Sequence, residues 1–165
     1  MNNDRSRRLR PFVCLAVALA LLLPTTALAE VVTGDDYTLE AGKVHAGNLY
    51  AFGQTVRIDG TLDGDLVAGA TKVLVGPDGQ VKGDVLGGAQ GVIVEGRVDG
   101  DVRAAAFTVQ VADGGSVGGE VVGLAFSVGV AEGATVGGDF LGAGYQGLLD
   151  GDVGGDVRFA GTGVE

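Results

Sequence analysis

Apolar residues recur along this chain at fixed distances from a Gly-acid-apolar tripeptide. The tripeptide occurs as Gly64-Asp65-Leu66, Gly83-Asp84-Val85, Gly100-Asp101-Val102, Gly119-Glu120-Val121, Gly138-Asp139-Phe140 and Gly155-Asp156-Val157, after a degenerate copy, Gly47-Asn48-Leu49. Successive repeat glycines are 17, 19, 17, 19, 19 and 17 residues apart. The two-residue difference sits in one place. Ile58-Asp59-Gly60-Thr61-Leu62 corresponds to Val75-Gly76-Pro77-Asp78-Gly79-Gln80-Val81, so one turn has lengthened while its flanks keep phase.

Four apolar columns follow from this phase. Two residues after the repeat Gly stand Leu49, Leu66, Val85, Val102, Val121, Phe140 and Val157. Nine after it stand Val56, Val73, Val92, Val109, Val128, Gly147 and Val164, and eleven after it Ile58, Val75, Val94, Val111, Val130 and Leu149. Just before the next Gly come Leu62, Val81, Val98, Val117, Val136 and Val153. Spacing of two within a coil is the strand period, and β-branched residues suit strands. Positions four and six after the Gly are almost always Ala or Gly, as at Ala104 and Ala106, which fits tight corners or close backbone approach.

A repeat of 17–19 residues cannot bury its apolar face alone, whereas stacked repeats can. Like residues then lie over one another about 4.8 Å apart, with backbone groups pairing between coils. The expected fold is all-β: a single-stranded, right-handed parallel β-helix, or β-solenoid, with 17–19-residue coils and three short strands in each. Right-handedness is the general rule for parallel connections. An open sandwich leaves the shared phase of the columns unexplained. The expected organisation is residues 1–29 as a signal peptide, 30–46 as an N-terminal lead-in or cap, and 47–165 as the repeat domain.

Composition agrees with this pattern. Gly supplies 32 of 165 residues, too many for helices, where each costs about 1 kcal/mol against Ala. The abundant valine provides enough apolar surface to fold, which argues against disorder.

The first 29 residues read as an export signal rather than part of the fold. Arg5, Arg7, Arg8 and Arg10 precede an apolar run from Phe12 to Leu23. Pro24 ends the run, and Ala27-Leu28-Ala29 is a small-x-small cleavage site before Glu30. The run is shorter than the roughly 20 residues of a spanning helix. Ser6-Arg7-Arg8 is a partial twin-arginine signal. Cys14, the only cysteine, lies inside the run, so cleavage leaves a chain without disulfides. The expected location is outside the cytoplasmic membrane, in the cell envelope or beyond it.

Residues 30–165 carry 20 acidic and 7 basic side chains, a net of −13. Such a surface repels nucleic acid and anionic lipid, so neither is expected as a partner. Chemistry is sparse. His45 is the only histidine, which excludes a zinc site built on a histidine pair and leaves little basis for a Ser-His-Asp triad. No Gly-Lys-Ser/Thr phosphate loop follows a strand. No enzymatic activity, cofactor or metal is expected.

Three further columns carry possible function. Asp65, Asp84, Asp101, Glu120, Asp139 and Asp156 share one position. They read better as turn caps, bonding local backbone N–H groups, than as a cation stripe. Phe107, Phe126 and Tyr145 stand seven residues after the Gly, where earlier coils have Gln54, Thr71 and Gln90. They are expected to fill a corner of the core, with an exposed partner-binding or carbohydrate-binding strip as the sharper alternative. Val67, Leu86, Val122 and Leu141 would form a lateral contact surface if they face outward.

Segments such as Gly100-Asp101-Val102-Arg103-Ala104-Ala105-Ala106-Phe107-Thr108-Val109, followed by Gly115-Ser116-Val117-Gly118-Gly119-Glu120-Val121, resemble bactofilins, the polymer-forming cytoskeletal proteins. The resemblance covers about residues 44–165. It implies a right-handed triangular β-helix that polymerises end to end without nucleotide. Familiar bactofilins are cytoplasmic, whereas this chain carries an export signal. It is similar to exported relatives in which such a solenoid precedes a membrane region.

The expected function is therefore a self-assembling structural scaffold, whose principal partner is itself, with membrane or cell-envelope components as further partners. The alternative is a monomeric extracellular binding module or adhesin presenting one face. Both ends of a β-helix are open strand edges that template pairing unless capped. The sequence stops in mid-coil at Glu165, so further chain or another molecule is expected to complete the last coil. The self-association residues expected there are Val157, Phe159 and Val164.

Overall fold

The structure is a computed structural model that describes residues 30–164. The expected signal peptide lies outside the described residues, as do Glu165 and the side chain of Val164. The fold is an all-β parallel solenoid.

Residues 30–46, expected as a lead-in, continue the ladder as a first coil with strands β1 (Glu30–Thr33), β2 (Asp36–Leu39) and β3 (Val44–Ala46). Six ten-residue strands follow: β4 (Leu49–Ile58), β6 (Leu66–Val75), β8 (Val85–Val94), β10 (Val102–Val111), β12 (Val121–Val130) and β14 (Phe140–Leu149). Short strands alternate with them: β5 (Thr61–Asp63), β7 (Gln80–Val81), β9 (Arg97–Val98), β11 (Ser116–Val117), β13 (Thr135–Val136) and β15 (Asp152–Val153). A partial last coil contributes β16 (Val157–Ala160) and β17 (Gly163–Val164).

The long strands stack in the order β4-β6-β8-β10-β12-β14, with β1 and β2 at one end and β16 and β17 at the other. The short strands form a second parallel stack from β3 to β15. Each like column pairs in register, for example Val109 with Val92 and Val128.

The three expected strands per coil appear in the first coil but become two in the six inner coils. The first two merge into one ten-residue strand that turns a corner. In β10, Val102 and Ala104 are buried, yet so are Val109 and Val111. A straight strand alternates strictly, so the inward parity has shifted by one residue in between. The ladder skips Phe107 at that point while pairing Ala106 and Thr108. Hydrogen bonding is otherwise continuous, which is why two faces belong to one strand.

The lengthened turn behaves as its sequence predicts. Gly76 N–H donates to Ile58 O at 2.8 Å and Gln80 N–H to Gly60 O at 2.9 Å, so Pro77 and Asp78 bulge while both flanks stay paired. In two later coils the same turn has Gly114 and Gly133 at φ +77° and +78°, a left-handed conformation that favours glycine.

The core is narrow and aliphatic apart from Phe140, and no polar or charged side chain among the described residues is fully buried. Each fully buried valine contributes about 1.5–3 kcal/mol relative to exposure. Position four after the repeat Gly faces the valine at position nine across this core. A Cβ on Gly123 would lie 2.6 Å from Cγ1 of Val128, and one on Gly87 3.0 Å from Cγ2 of Val92. This crowding explains the Ala/Gly restriction there.

Candidate functional site

Two regions carry candidate function: the last coil, and the outward face of the long strands. In the last coil, β16 and β17 pair with β14 on one side only. Val157 opens this edge and is half exposed. Phe159 turns inward and packs partly buried against the core. Gly142 and Gly147 make the room: a Cβ on Gly142 would fall 2.7 Å from the ring, and one on Gly147 3.1 Å from it. Val164 pairs by its backbone with Gly147 in the same rung region. The last coil thus brings Phe159 and the backbone of Val164 together over Gly147, and leaves Val157 on the outer edge. An aromatic ring is thus laid partly across the core in the last described coil.

The acidic column forms a relay between coils. Asp65 Oδ1 accepts from the N–H of Asp84 at 2.9 Å, Asp84 from Asp101 at 2.9 Å, and Asp101 from Glu120 at 2.8 Å. Asn48 begins the relay by accepting from Asp65 N–H at 3.0 Å, and Asp139 accepts from Asp156 N–H at 2.9 Å. The expected local caps are thus corrected: the acceptors serve the next coil, because a 4.8 Å rung step is within reach of a short Asp side chain.

Two arginines offset the repulsion of the stacked acids. Arg103 lies 2.8 Å from Asp101, 2.5 Å from Glu120 and 3.8 Å from Asp84. Its hydrogen bond to Glu120 raises the guanidinium pKa above the ordinary value. Arg158 lies 2.6 Å from Asp156 and 3.6 Å from Asp139. On the short-strand face, Arg97 holds the Asp99 carboxyl below its ordinary pKa through a direct hydrogen bond, helped by Gln80. Among the described residues, no group of three His, Cys, Asp or Glu side chains is placed to hold a metal ion.

His45 sits in the first coil, paired with Leu62 in an otherwise aliphatic column. Its Nδ1 is 3.4 Å from Glu30, while its Nε2 is buried without a partner.

The aromatic column is also corrected. Phe107, Phe126 and Tyr145 lie outside the solenoid and are about half exposed or more. Their rings stack in parallel, 5.0 Å and 4.9 Å between centroids. They stand where the ladder skips a residue to turn the corner, and a side chain at such a corner projects outward. Leu86 and Leu124 are exposed on the same face, at 54% and 63%, with Val122 and Leu141 half-buried.

A stack of parallel, in-register coils around an apolar core defines a β-solenoid repeat protein. A family model described as Bactofilin, polymer-forming cytoskeletal, matches residues 37–141, and the chain belongs to this family. The family is structural and self-assembling, which the solenoid accommodates. No curated protein and no solved structure matches the chain significantly.

Of these features, the repeat phase revealed the solenoid and the acidic column. The inward Phe159 had a readable signal, the Gly147 gap in the valine column. The corner that exposes the aromatic stack is not visible from periodicity, because a strand that turns without breaking reads as one period.

Proposed function

We propose that this chain is an exported scaffold of the cell envelope or cell exterior that polymerises end to end without nucleotide. The observation that carries this reading is the stack of like rungs, each pairing in parallel and in register with the next. A rung of another copy has the same backbone pattern and the same apolar columns, so it can extend the stack as an inner coil does, covering backbone groups and apolar side chains together. Membership of a polymer-forming family supports the same conclusion.

Export rests on the leader ending at Ala27-Leu28-Ala29. Independence from nucleotide rests on the lack of a phosphate loop in the sequence. Residues 30–165 have a net charge of −13, which opposes association at low ionic strength, so salt promotes assembly by screening.

Electron microscopy of the chain beginning at Glu30, at several salt concentrations and with and without ATP, tests this reading. Filaments are expected in both cases, more of them at high salt. Single short rods under all conditions would overturn it and favour a monomeric binding module or adhesin.

A further inference from the structure

The stacked rings of Phe107, Phe126 and Tyr145 are not required by the fold. The same corner holds Gln54, Thr71 and Gln90 in earlier coils, and the long strands there keep the same register. Aromatic rings therefore replace polar residues at a position where the backbone accepts either. They form a ridge along the rod axis. Beside it, on the same face, runs a shallow apolar groove of about 390 Å³, lined by the side chains of Val122, Leu124, Leu141, Ala143 and Ala160.

The ring geometry narrows what can bind. The rings lie within 1° and 9° of parallel, so each covers its neighbour's face. Only the two outermost faces are free, which disfavours a sugar chain that must stack face to face on successive rings. What the ridge offers is a row of ring edges, which pack well into aliphatic or aromatic surroundings. The neighbouring groove of a second copy supplies such surroundings.

We infer that ridge and groove form the lateral contact between neighbouring polymers of this chain, the ridge of one copy seated in the groove of the next. Two rods facing each other and pointing the same way bring the seventh column of one opposite the third and fifth columns of the other. The reverse pairing occurs at the same height, giving a two-fold contact. Both partners repeat at the same rung spacing, so contacts stay in register along the rods.

Charge favours the same occupant. Two chains of net charge −13 repel least where each is uncharged, and the face between Arg103 and Arg158 carries Val122, Leu124, Phe126, Leu141, Ala143 and Tyr145. The arginines at its borders are already paired with acids. Area sets the condition under which the contact forms. Three rungs by five residues is on the order of 200 Å². A stable pair of proteins buries about 800 Å² on each partner. The patch is too small to hold two monomers together, but a filament repeats it once per subunit, and the linked contacts add. The inference therefore rests on the end-to-end reading: bundles form only from polymers.

The test uses Phe107→Gln, Phe126→Thr and Tyr145→Gln together in the chain beginning at Glu30. These substitutions transplant the residues of the earlier coils, so the melting temperature should stay close to that of wild type. Centrifugation at high speed pellets all polymers, whereas low speed pellets only bundles. The wild type should appear in both pellets, and the triple variant should lose the low-speed pellet while keeping the high-speed one. Microscopy should then show single filaments. Bundles of the variant equal to wild type, or a wild type that forms only single filaments, would overturn the lateral contact and leave end-to-end assembly standing. A wild type that forms no filaments would overturn both.

Discussion

The ring of Phe159 occupies space over Gly147, at a position where the inner coils carry valine. A Cβ on Gly147 would approach that ring to 3.1 Å, whereas Val92, Val109 and Val128 fill the same column with their own side chains. The last inner coil has lost a side chain and the partial coil above it has supplied a larger one. The last described coil thus places a partly buried aromatic ring beside a half-exposed Val157.

The inner columns tolerate no charge. Val109 is 2% exposed between Val92 and Val128. Val109→Asp should destabilise the chain by several kcal/mol, because an unpaired carboxylate would be buried or forced to stay protonated. Gln110→Asp, one residue on and outward, should change stability by less than about 1 kcal/mol. Thermal unfolding of the two variants checks the assignment, and equal losses would mean that inside and outside are reversed.

Most of the architecture was legible in the sequence, because stacking makes the same demand of every coil. The four apolar columns, the lengthened turn at Pro77-Asp78 and the parallel pairing all follow from the phase of one tripeptide. What escaped were features that depend on where a coil bends. Phe107, Phe126 and Tyr145 look like core residues by hydrophobicity alone, yet the ladder skips their position. The Asp column reads from sequence as local caps, since a sequence shows a residue's neighbours along the chain and not those one rung away, where the Asp oxygens accept. Residues 30–46 lack the Gly-acid-apolar tripeptide and so looked like a lead-in, although they pair in register as a coil.

The acidic relay should contribute through its acceptor atoms rather than its charge. Asp101 Oδ1 receives the N–H of Glu120 at 2.8 Å. Asp101→Ala removes that acceptor and should cost about 1 kcal/mol in urea unfolding. Asp101→Asn keeps an oxygen in the same place and should recover most of the loss, apart from the contact with Arg103. If the Asn and Ala variants unfold alike, the bond between coils contributes nothing and the column serves only solubility.

Asp99 should titrate below an ordinary carboxylate because of its hydrogen bond from Arg97. A depressed folded-state value means that the stabilisation is present above the unfolded pKa, near 3.9. It is lost as the pH falls through the lower folded value. The pair is largely solvated, so the effect on unfolding should be small. Carboxyl chemical shifts measured against pH should show the depressed titration, and Arg97→Gln should return it toward the ordinary range. An unchanged midpoint in that variant would remove Arg97 as the cause.

End-to-end assembly through the last coil is tested most directly by sedimentation velocity of the chain beginning at Glu30, across protein and salt concentration. The comparison is with Phe159→Lys and with Val157→Lys, which places a charge on the exposed edge without disturbing the ring over Gly147. The wild type should sediment as a growing polymer, increasingly so as salt screens its charge, while both variants remain folded and small. A wild type that stays monomeric throughout, or a Val157→Lys chain that polymerises as wild type does, would contradict assembly through this end.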